Sequence, residues 1–355
     1  MNDPKSLPPA RSVTLGSVAE EAGVSAMTAS RSLRNDPKVL PKTRERVLAA
    51  AAKLGYRPDP LLSSLSARRR GRRPPAEDCV IPYITNWLER DAWRAVPHFA
   101  AQFAGAKRRA EELGYRLDHF WLRENGLSPA RFSQIMYHRG IRSVLIAPVQ
   151  AAAGHIRLSW DLFAAVKFGY SLRYPALHYI ADHQFYSMRL VCRELAHVGY
   201  RRLGLFIEEA SDKRSMGQWS AAFFHDQLRL PAAERVPPLL TRDSIPRSRE
   251  IFVEWLETHR PDVVISVDNV VGEWIREAGF ELPQEIGFAN LDLPDPSGTL
   301  AGIYQNPELA GSEAVDLVHR LMQRHEYGIP TQARAVLTHG TWVSGSSVRA
   351  PKSDR

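Results

Sequence analysis

Between Thr14 and Leu33 the chain holds short hydroxyl side chains and one guanidinium at spacings suited to phosphates and base edges. Thr14 and Ser25 each stand just before a helical apolar pattern, where a hydroxyl can accept from the orphan amide donors of a first turn. Thr28 and Ser30 follow within reach of phosphate or base edges. Arg31 carries the planar fork that pairs bidentately with a guanine edge. Three helices are needed to position these groups. The first begins at Thr14. Ala19 is small where a second helix must cross closely, and Gly23 marks the chain reversal, where a positive φ is needed. The second helix spans Ala26 to Leu33, and its first turn is the part shaped to enter a major groove. The third starts near Pro41, where a missing N–H costs nothing, and stops at Gly55. Val18, Val24 and Leu33 are expected to pack against Val47, Leu48 and Leu54. The whole reads as a helix-turn-helix headpiece over 12–58, after an N-terminal stretch, 1–11, expected to be disordered.

Charge agrees with this reading. Residues 1–77 hold 15 Lys and Arg against 7 Asp and Glu, a balance of 15 − 7 = +8. The remainder holds 47 − 15 = 32 basic and 39 − 7 = 32 acidic residues, a balance of zero. The net charge therefore sits on the headpiece and the arm behind it, as expected of a phosphate-binding module joined to a neutral body.

At 355 residues, 44% of them hydrophobic, the chain suits a small module plus a larger body with its own core. No apolar run approaches the roughly 18 residues of a membrane span, and MNDPKSLPPARS lacks the apolar core of a signal peptide. Cys79 and Cys192 are far apart, without CxxC or His spacing. Two buried thiols in a reducing cytoplasm are expected, with no structural zinc and no cofactor.

After the headpiece, Pro58 disfavours helix at Arg57. Asp59 and Pro60 then form a good N-cap and first helical residue. About two turns fit before Gly71, and a free helix that short is marginal in water, so Leu61, Leu62 and Leu65 need a partner surface. Arg68-Arg69-Arg70-Gly71-Arg72-Arg73 follows. Such blocks are usually solvated, though beside a hinge they can gather phosphates, each steepening the log–log salt dependence by about 0.9.

The headpiece, the Tyr56-Arg57-Pro58-Asp59-Pro60 junction and the short leucine-bearing helix together resemble the LacI/GalR family of transcriptional regulators. The resemblance implies that two hinge helices pair across a dimer on binding the operator and that Leu65 wedges into a central minor-groove step. An ordinary Pro-bounded linker is the competing reading. The resemblance also places Ala26, Met27 and Arg31 at base-reading positions. Ala26 and Met27 offer no strong hydrogen bonds, which suits thymine methyls or steric shape. Arg34 stands where the family often has Asn, adding a cation near the backbone.

From about residue 78 short apolar runs alternate with helical stretches, the pattern of parallel α/β units. Strands are expected at 79–84, 116–122, 143–148, 165–170, 202–207, 263–266 and 286–289, with helices over 99–113 and 186–197. Two similar halves in succession suggest two lobes and a cleft. This architecture resembles the family's effector domain, which is related to periplasmic sugar-binding proteins of type I. The junctions 195–204, 261–266, 282–288 and 303–307 carry the likeness. The expected lobes are 78–175 plus 303–327 and 176–302 plus 328–346, with a tail over 347–355.

Ligands of open α/β sheets sit at the carboxyl ends of strands. Asn86, Trp87 and Trp93 follow the first strand, where an indole face beside an amide suits a sugar ring; packing between lobes or in a dimer competes for the tryptophans. By resemblance, Arg214 and Trp219 lie near a ligand-contacting arginine of relatives, and Asp268-Asn269 stands where relatives carry Asn-Asp. Asp292 ends a further strand. A structural capping role competes for these polar residues.

No GxSxG, HExxH, P-loop or GxGxxG occurs. The expectation is a cytoplasmic, homodimeric, sequence-specific regulator, more often a repressor in this family. It would bind an inverted-repeat operator in double-stranded DNA and answer to a small-molecule effector of the carbohydrate class. A sequence-tolerant architectural DNA binder is the alternative, and a sugar-acting enzyme with a DNA-binding module a further one.

Overall fold

The computed structural model describes residues 14–33, 39–54, 79–151 and 153–350. Arg34, Leu65, the expected hinge helix, the basic run and both chain ends lie outside the described residues. The chain divides into two units, Met1–Asp78 and Cys79–Arg355.

The first unit contains α1 (Leu15–Glu21), α2 (Ala26–Leu33) and α3 (Pro41–Leu54). Thr14 caps α1 reciprocally. Its Oγ1 accepts from the Ser17 amide at 3.2 Å, while Ser17 Oγ accepts from the Thr14 amide at 3.4 Å. Gly23 turns the chain with φ at +61°, and Ser25 Oγ accepts from the Thr28 amide at 3.1 Å to start α2. Val18, Ala19, Ala22, Ala29, Val47, Ala50 and Ala51 form the core, with Leu15, Val24, Leu33 and Leu54 packed at its edge. Leu48 was expected in this core but is 49% exposed. Val47, Ala50, Ala51 and Leu54 already fill the inward stripe of α3, and Leu48 lies about 100° around the helix from Val47.

The second unit is built on two six-stranded sheets. In the first, β1 (Val80–Thr85), β2 (Arg116–Trp121), β3 (Ser143–Ile146), β5 (Ala164–Phe168), β7 (His178–Asp182) and β13 (Ala335–Thr338) run in the order β13-β7-β5-β3-β1-β2. In the second, β8 (Leu203–Glu208), β9 (Leu239–Thr241), β10 (Val263–Ser266), β11 (Gly287–Asn290), β12 (Ala301–Tyr304) and β14 (Thr341–Val343) run β14-β12-β11-β10-β8-β9. All pairings within these sheets are parallel except β12 with β14. Continuous runs such as SVLI and VVIS are buried throughout, as strands covered on both faces require. A short parallel pair, β4 (Gly154–His155) with β6 (Leu172–Tyr174), lies apart.

The chain crosses between the lobes after β7, after β12 and between β13 and β14. Two expected lobe boundaries are therefore corrected. His178–Asp182 and Ala335–Thr338 belong to the first sheet, not to the second lobe. The first of these carries His and Asp, which blur the apolar signal of a strand. The second is an edge strand with exposed side chains.

The crossings are stitched by amides. Gln305 donates from Nε2 to Gln184 Oε1 at 3.2 Å and to the Leu291 carbonyl at 2.6 Å. Asn306 Nδ2 donates to the His339 carbonyl at 2.9 Å and to Thr341 Oγ1 at 3.0 Å. The His339 ring stacks on Tyr186 at 4.0 Å.

One helix pair frames the first lobe's side of the cleft. Helices Pro97–Glu112 and Pro307–Gln323 meet backbone to backbone. A Cβ on Gly105 would lie 2.1 Å from the Glu308 carbonyl oxygen, and one on Gly311 2.0 Å from that of Gln102. Only glycine permits this approach, which sets where His98 and Gln102 stand.

Neither cysteine forms a disulfide; Cys192 is buried and Cys79 half-buried.

Candidate functional site

In the headpiece, α2 turns Ala29 and Ser32 inward, and Ser32 Oγ donates to the Thr28 carbonyl at 2.8 Å. The opposite side carries Ala26, Met27 and Arg31, all exposed, with Met27 at 61%. Thr14 and Ser25 are exposed at the helix starts, and Thr28 and Ser30 are half-buried. An exposed methionine on an alanine-cored helix contributes nothing to this small core. It leaves an apolar, polarizable tip at the outer surface beside a guanidinium.

In the second unit, the carboxyl ends of both sheets open onto a cleft of about 570 Å³, within the range of small-ligand sites. Five expected residues line it: Trp87, Arg214, Trp219, Asp268 and Asp292. Trp87 follows β1 and is anchored by its Nε1, which donates to the Pro148 carbonyl at 2.9 Å. Arg214 comes from the second lobe, and its Nη1 donates to the carbonyls of Val149 and Gln150 in the first.

Three expected residues lie elsewhere. Trp93 is 1% exposed and packs among Tyr83, Phe103 and His119. The short 3-10 turn Ala92–Ala95 rolls its indole into the first lobe's core. Asn86 lines a separate recess and accepts from Arg123 Nε at 3.2 Å. Asn269 accepts from Asn290 Nδ2 at 2.7 Å, tying the loop after β10 to β11.

The cleft also holds residues that strand ends alone did not indicate. His98 and Gln102, four residues apart on the helix Pro97–Glu112, face it from the first lobe together with Phe99. Pro97 at the first helical position was the available signal: it starts a helix whose first turns must flank whatever follows β1. Asp182 at the end of β7 would have followed from the strand-end rule had that strand been recognised.

His98 bridges the lobes. Its Nδ1 lies 3.0 Å from Asp292 Oδ1 and its Nε2 3.4 Å from Asp182 Oδ2. Burial opposes protonation of the imidazole, but Asp292 and Asp182 outweigh it and raise the pKa to about 9. Burial pushes the Asp182 carboxyl up to about 6, against the pull of His98. Burial likewise raises Asp268 to about 6, with the Glu208 charge adding to it. The Trp219 Nε1 donor and the Gln102 Oε1 acceptor are buried with no partner. Such atoms carry a desolvation cost until something supplies the missing bond.

A larger recess, about 680 Å³, lies along helices Gln184–His197 and Gln218–Gln227 and reaches Leu203 at the start of β8. Its lining starts at His183, directly after Asp182, and none of the carboxylates just described faces it. Among the described residues no group of three or more His, Cys, Asp or Glu could hold a metal ion, and no helix is long and apolar enough to cross a membrane.

A helix-turn-helix unit followed by a two-lobed parallel α/β unit defines the class of protein. Residues 14–59 match the bacterial regulatory proteins of the lacI family, and residues 192–348 match the periplasmic binding protein-like domain. The chain thus joins a lacI-family headpiece to a periplasmic binding protein-like domain. It is 33% identical over 91 residues to catabolite control protein A of Priestia megaterium, covering 26% of each chain. It is 49% identical over 61 residues to the sucrose operon repressor of Escherichia coli, covering 17% of this chain and 18% of that one. It is 38% identical over 104 residues to the ribose operon repressor of Bacillus subtilis (strain 168), covering 29% and 28%. The matched stretches thus span less than a third of these relatives' own length.

Likeness of fold extends further. The lac repressor dimer bound to operator and the anti-inducer ONPF has a TM-score of 0.56 at 19% identity, over 95% of this chain and 99% of that one. A transcriptional regulator CelR–cellobiose complex has 0.55 at 17% identity, over 95% and 100%.

Proposed function

We propose that the protein is a sequence-specific DNA-binding transcriptional regulator, acting as a cytoplasmic homodimer on an inverted-repeat operator. A small molecule of the carbohydrate class would control it from the interlobe cleft. The observation that carries this reading is the outer face of α2, where Met27 and Arg31 stand clear of a core already complete without them. Arg31 pairs with guanine, and Met27 and Ala26 read methyls or shape. Arg34 and Leu65 act behind them, Leu65 as the minor-groove wedge that kinks the centre of the site. Repression is the expected sense of control.

Effector binding changes the angle between the lobes and thereby the pairing of the hinge helices. Ligand and DNA affinities are then reciprocally coupled, typically by about 1–3 kcal/mol. The relatives' names point to sugar-responsive operons, which supports a carbohydrate here.

Selection of randomised DNA on the purified protein, read by sequencing, tests the reading. Enrichment of an inverted repeat with a fixed, deformable centre is expected. Flat enrichment both with and without a pooled sugar library would leave only a sequence-tolerant DNA binder.

A further inference from the structure

We propose that the cleft selects a neutral, hydroxyl-rich ligand and refuses phosphorylated or carboxylate-bearing analogues of the same compound. The inference rests on the reading of the cleft as the effector site.

Charge inside the cleft argues first. Asp182, Asp268 and Asp292 line it, and the cations among its described lining residues are Arg214 and His98. Both are already engaged. Arg214 donates to the Val149 and Gln150 carbonyls across the cleft, and His98 lies between Asp292 and Asp182. The Asp268 carboxylate, by contrast, has no hydrogen-bonding or ionic partner among the described residues, and Glu208 adds a like charge nearby. A phosphate or carboxylate entering here would meet carboxylates with no uncommitted cation to receive it. A hydroxyl would find an acceptor.

Hydrogen-bond valence argues independently. Trp219 Nε1 is a buried donor without an acceptor, and Gln102 Oε1 a buried acceptor without a donor. Trp219 is 8% exposed and Gln102 4%, and they face the cleft from opposite lobes. A hydroxyl group both donates and accepts, so a ligand with several of them can satisfy the two atoms and still donate to Asp268. A phosphate's acceptor oxygens serve Trp219 alone. Of these three groups two accept and one donates, so the ligand gives hydrogen bonds to Gln102 and Asp268 and takes one from Trp219. The rings of Trp87 and Phe99, set edge to face at 5.8 Å, supply the apolar wall for the ligand's C–H face.

Calorimetric titration of the full-length protein with matched compounds provides the test. The neutral set is glucose, galactose, ribose, cellobiose and sucrose. The anionic set is glucose 6-phosphate, galactose 6-phosphate, ribose 5-phosphate, glucuronate and galacturonate. At least one neutral compound is expected to bind, with its anionic counterparts at least a hundredfold weaker. Asp268→Asn should shrink that discrimination at least tenfold. Trp219→Phe removes an orphan donor, so the unliganded protein should melt no lower while its affinity for the neutral sugar falls at least tenfold. A merely structural Trp219 would show the opposite pair of results. An anionic compound that binds as tightly as its neutral parent overturns the charge rule and leaves the cleft as the effector site. Silence across both sets overturns the cleft reading and the inference with it.

Discussion

His98 and Asp292 belong to different lobes and meet at 3.0 Å, with Asp182 completing the arrangement from behind the imidazole at 3.4 Å. Arg214 makes a second link between the lobes through the Val149 and Gln150 carbonyls. The His98 imidazole gives its own contact between the lobes a protonation requirement.

The sign of that requirement is fixed. Asp292, Asp182 and the more distant Glu308 raise His98 from 6.5 to about 9 against the opposing effect of burial. A group raised on folding contributes stability that is complete below about pH 6.5 and is lost as pH rises through about 9. Asp182, raised from 3.8 to about 6, acts in a separate window: ionising it between those values costs stability. The melting temperature should therefore fall between pH 6.5 and 9.5 by more in the wild type than in His98→Gln. A difference on the order of 2–3 kcal/mol is expected. Identical pH profiles for the two proteins would remove the imidazolium from the latch.

Gly311→Ala should be costly out of proportion to its size. The added carbon would fall 2.0 Å from the Gln102 carbonyl oxygen, so the helices carrying His98 and the Glu308 turn must separate. Overpacking of this kind costs about 1–3 kcal/mol, and effector affinity should fall with it. Gly114→Ala, where a new Cβ meets nothing but φ is +84°, should cost only the backbone strain of about 1 kcal/mol. Chemical denaturation of both variants, with effector titration of each, separates the two.

Trp93 and Trp219 should part company under mutation. Trp93→Ala empties the first lobe's core and should cost about 3–5 kcal/mol. Its residual folded fraction should bind effector with near-normal affinity. A Trp219→Ala, Asp268→Ala double mutant should lose effector binding. Normal binding by that double mutant would mean the cleft is misplaced.

Arg31→Ala should relax selectivity at one base pair of each half-site, by about 1–3 kcal/mol of discrimination. It should leave the three-helix core folded, since Arg31 is exposed while Val18, Ala29 and Val47 hold the helices together. Unchanged base preferences in a randomised-DNA selection would place the reading elsewhere on α2.

The headpiece was legible because its signals are local. Caps, the turn glycine and the apolar stripe each act within a few residues, so Thr14, Gly23 and Ser25 could be assigned from spacing alone. Leu48 misled because apolar type was taken for inward direction. The cleft was legible at its strand ends, and beyond them only at Arg214 and Trp219, which the family resemblance supplied. Trp87, Asp268 and Asp292 follow from the rule that loops at carboxyl ends meet the ligand, but the rule does not say which way a loop turns. Trp93 and Asn86 share the loop of Trp87, yet one is rolled inward and the other faces a different recess. His98 and Gln102 escaped because a helix reaches the cleft only through a packing distance, set by Gly105 against the Glu308 backbone, that no single segment encodes.

The three crossings between the lobes have a mechanical consequence. Cords lying side by side resist twisting and sliding far more than bending, so one soft coordinate, the opening angle, is left to the lobes. The stacked Tyr186 and His339 rings and the amide stitches of Gln305 and Asn306 hold the cords together. If the cleft takes the proposed effector, the ligand's chemistry reaches the rest of the chain through that single angle. Two unlike compounds that prop the jaws equally would be the same message.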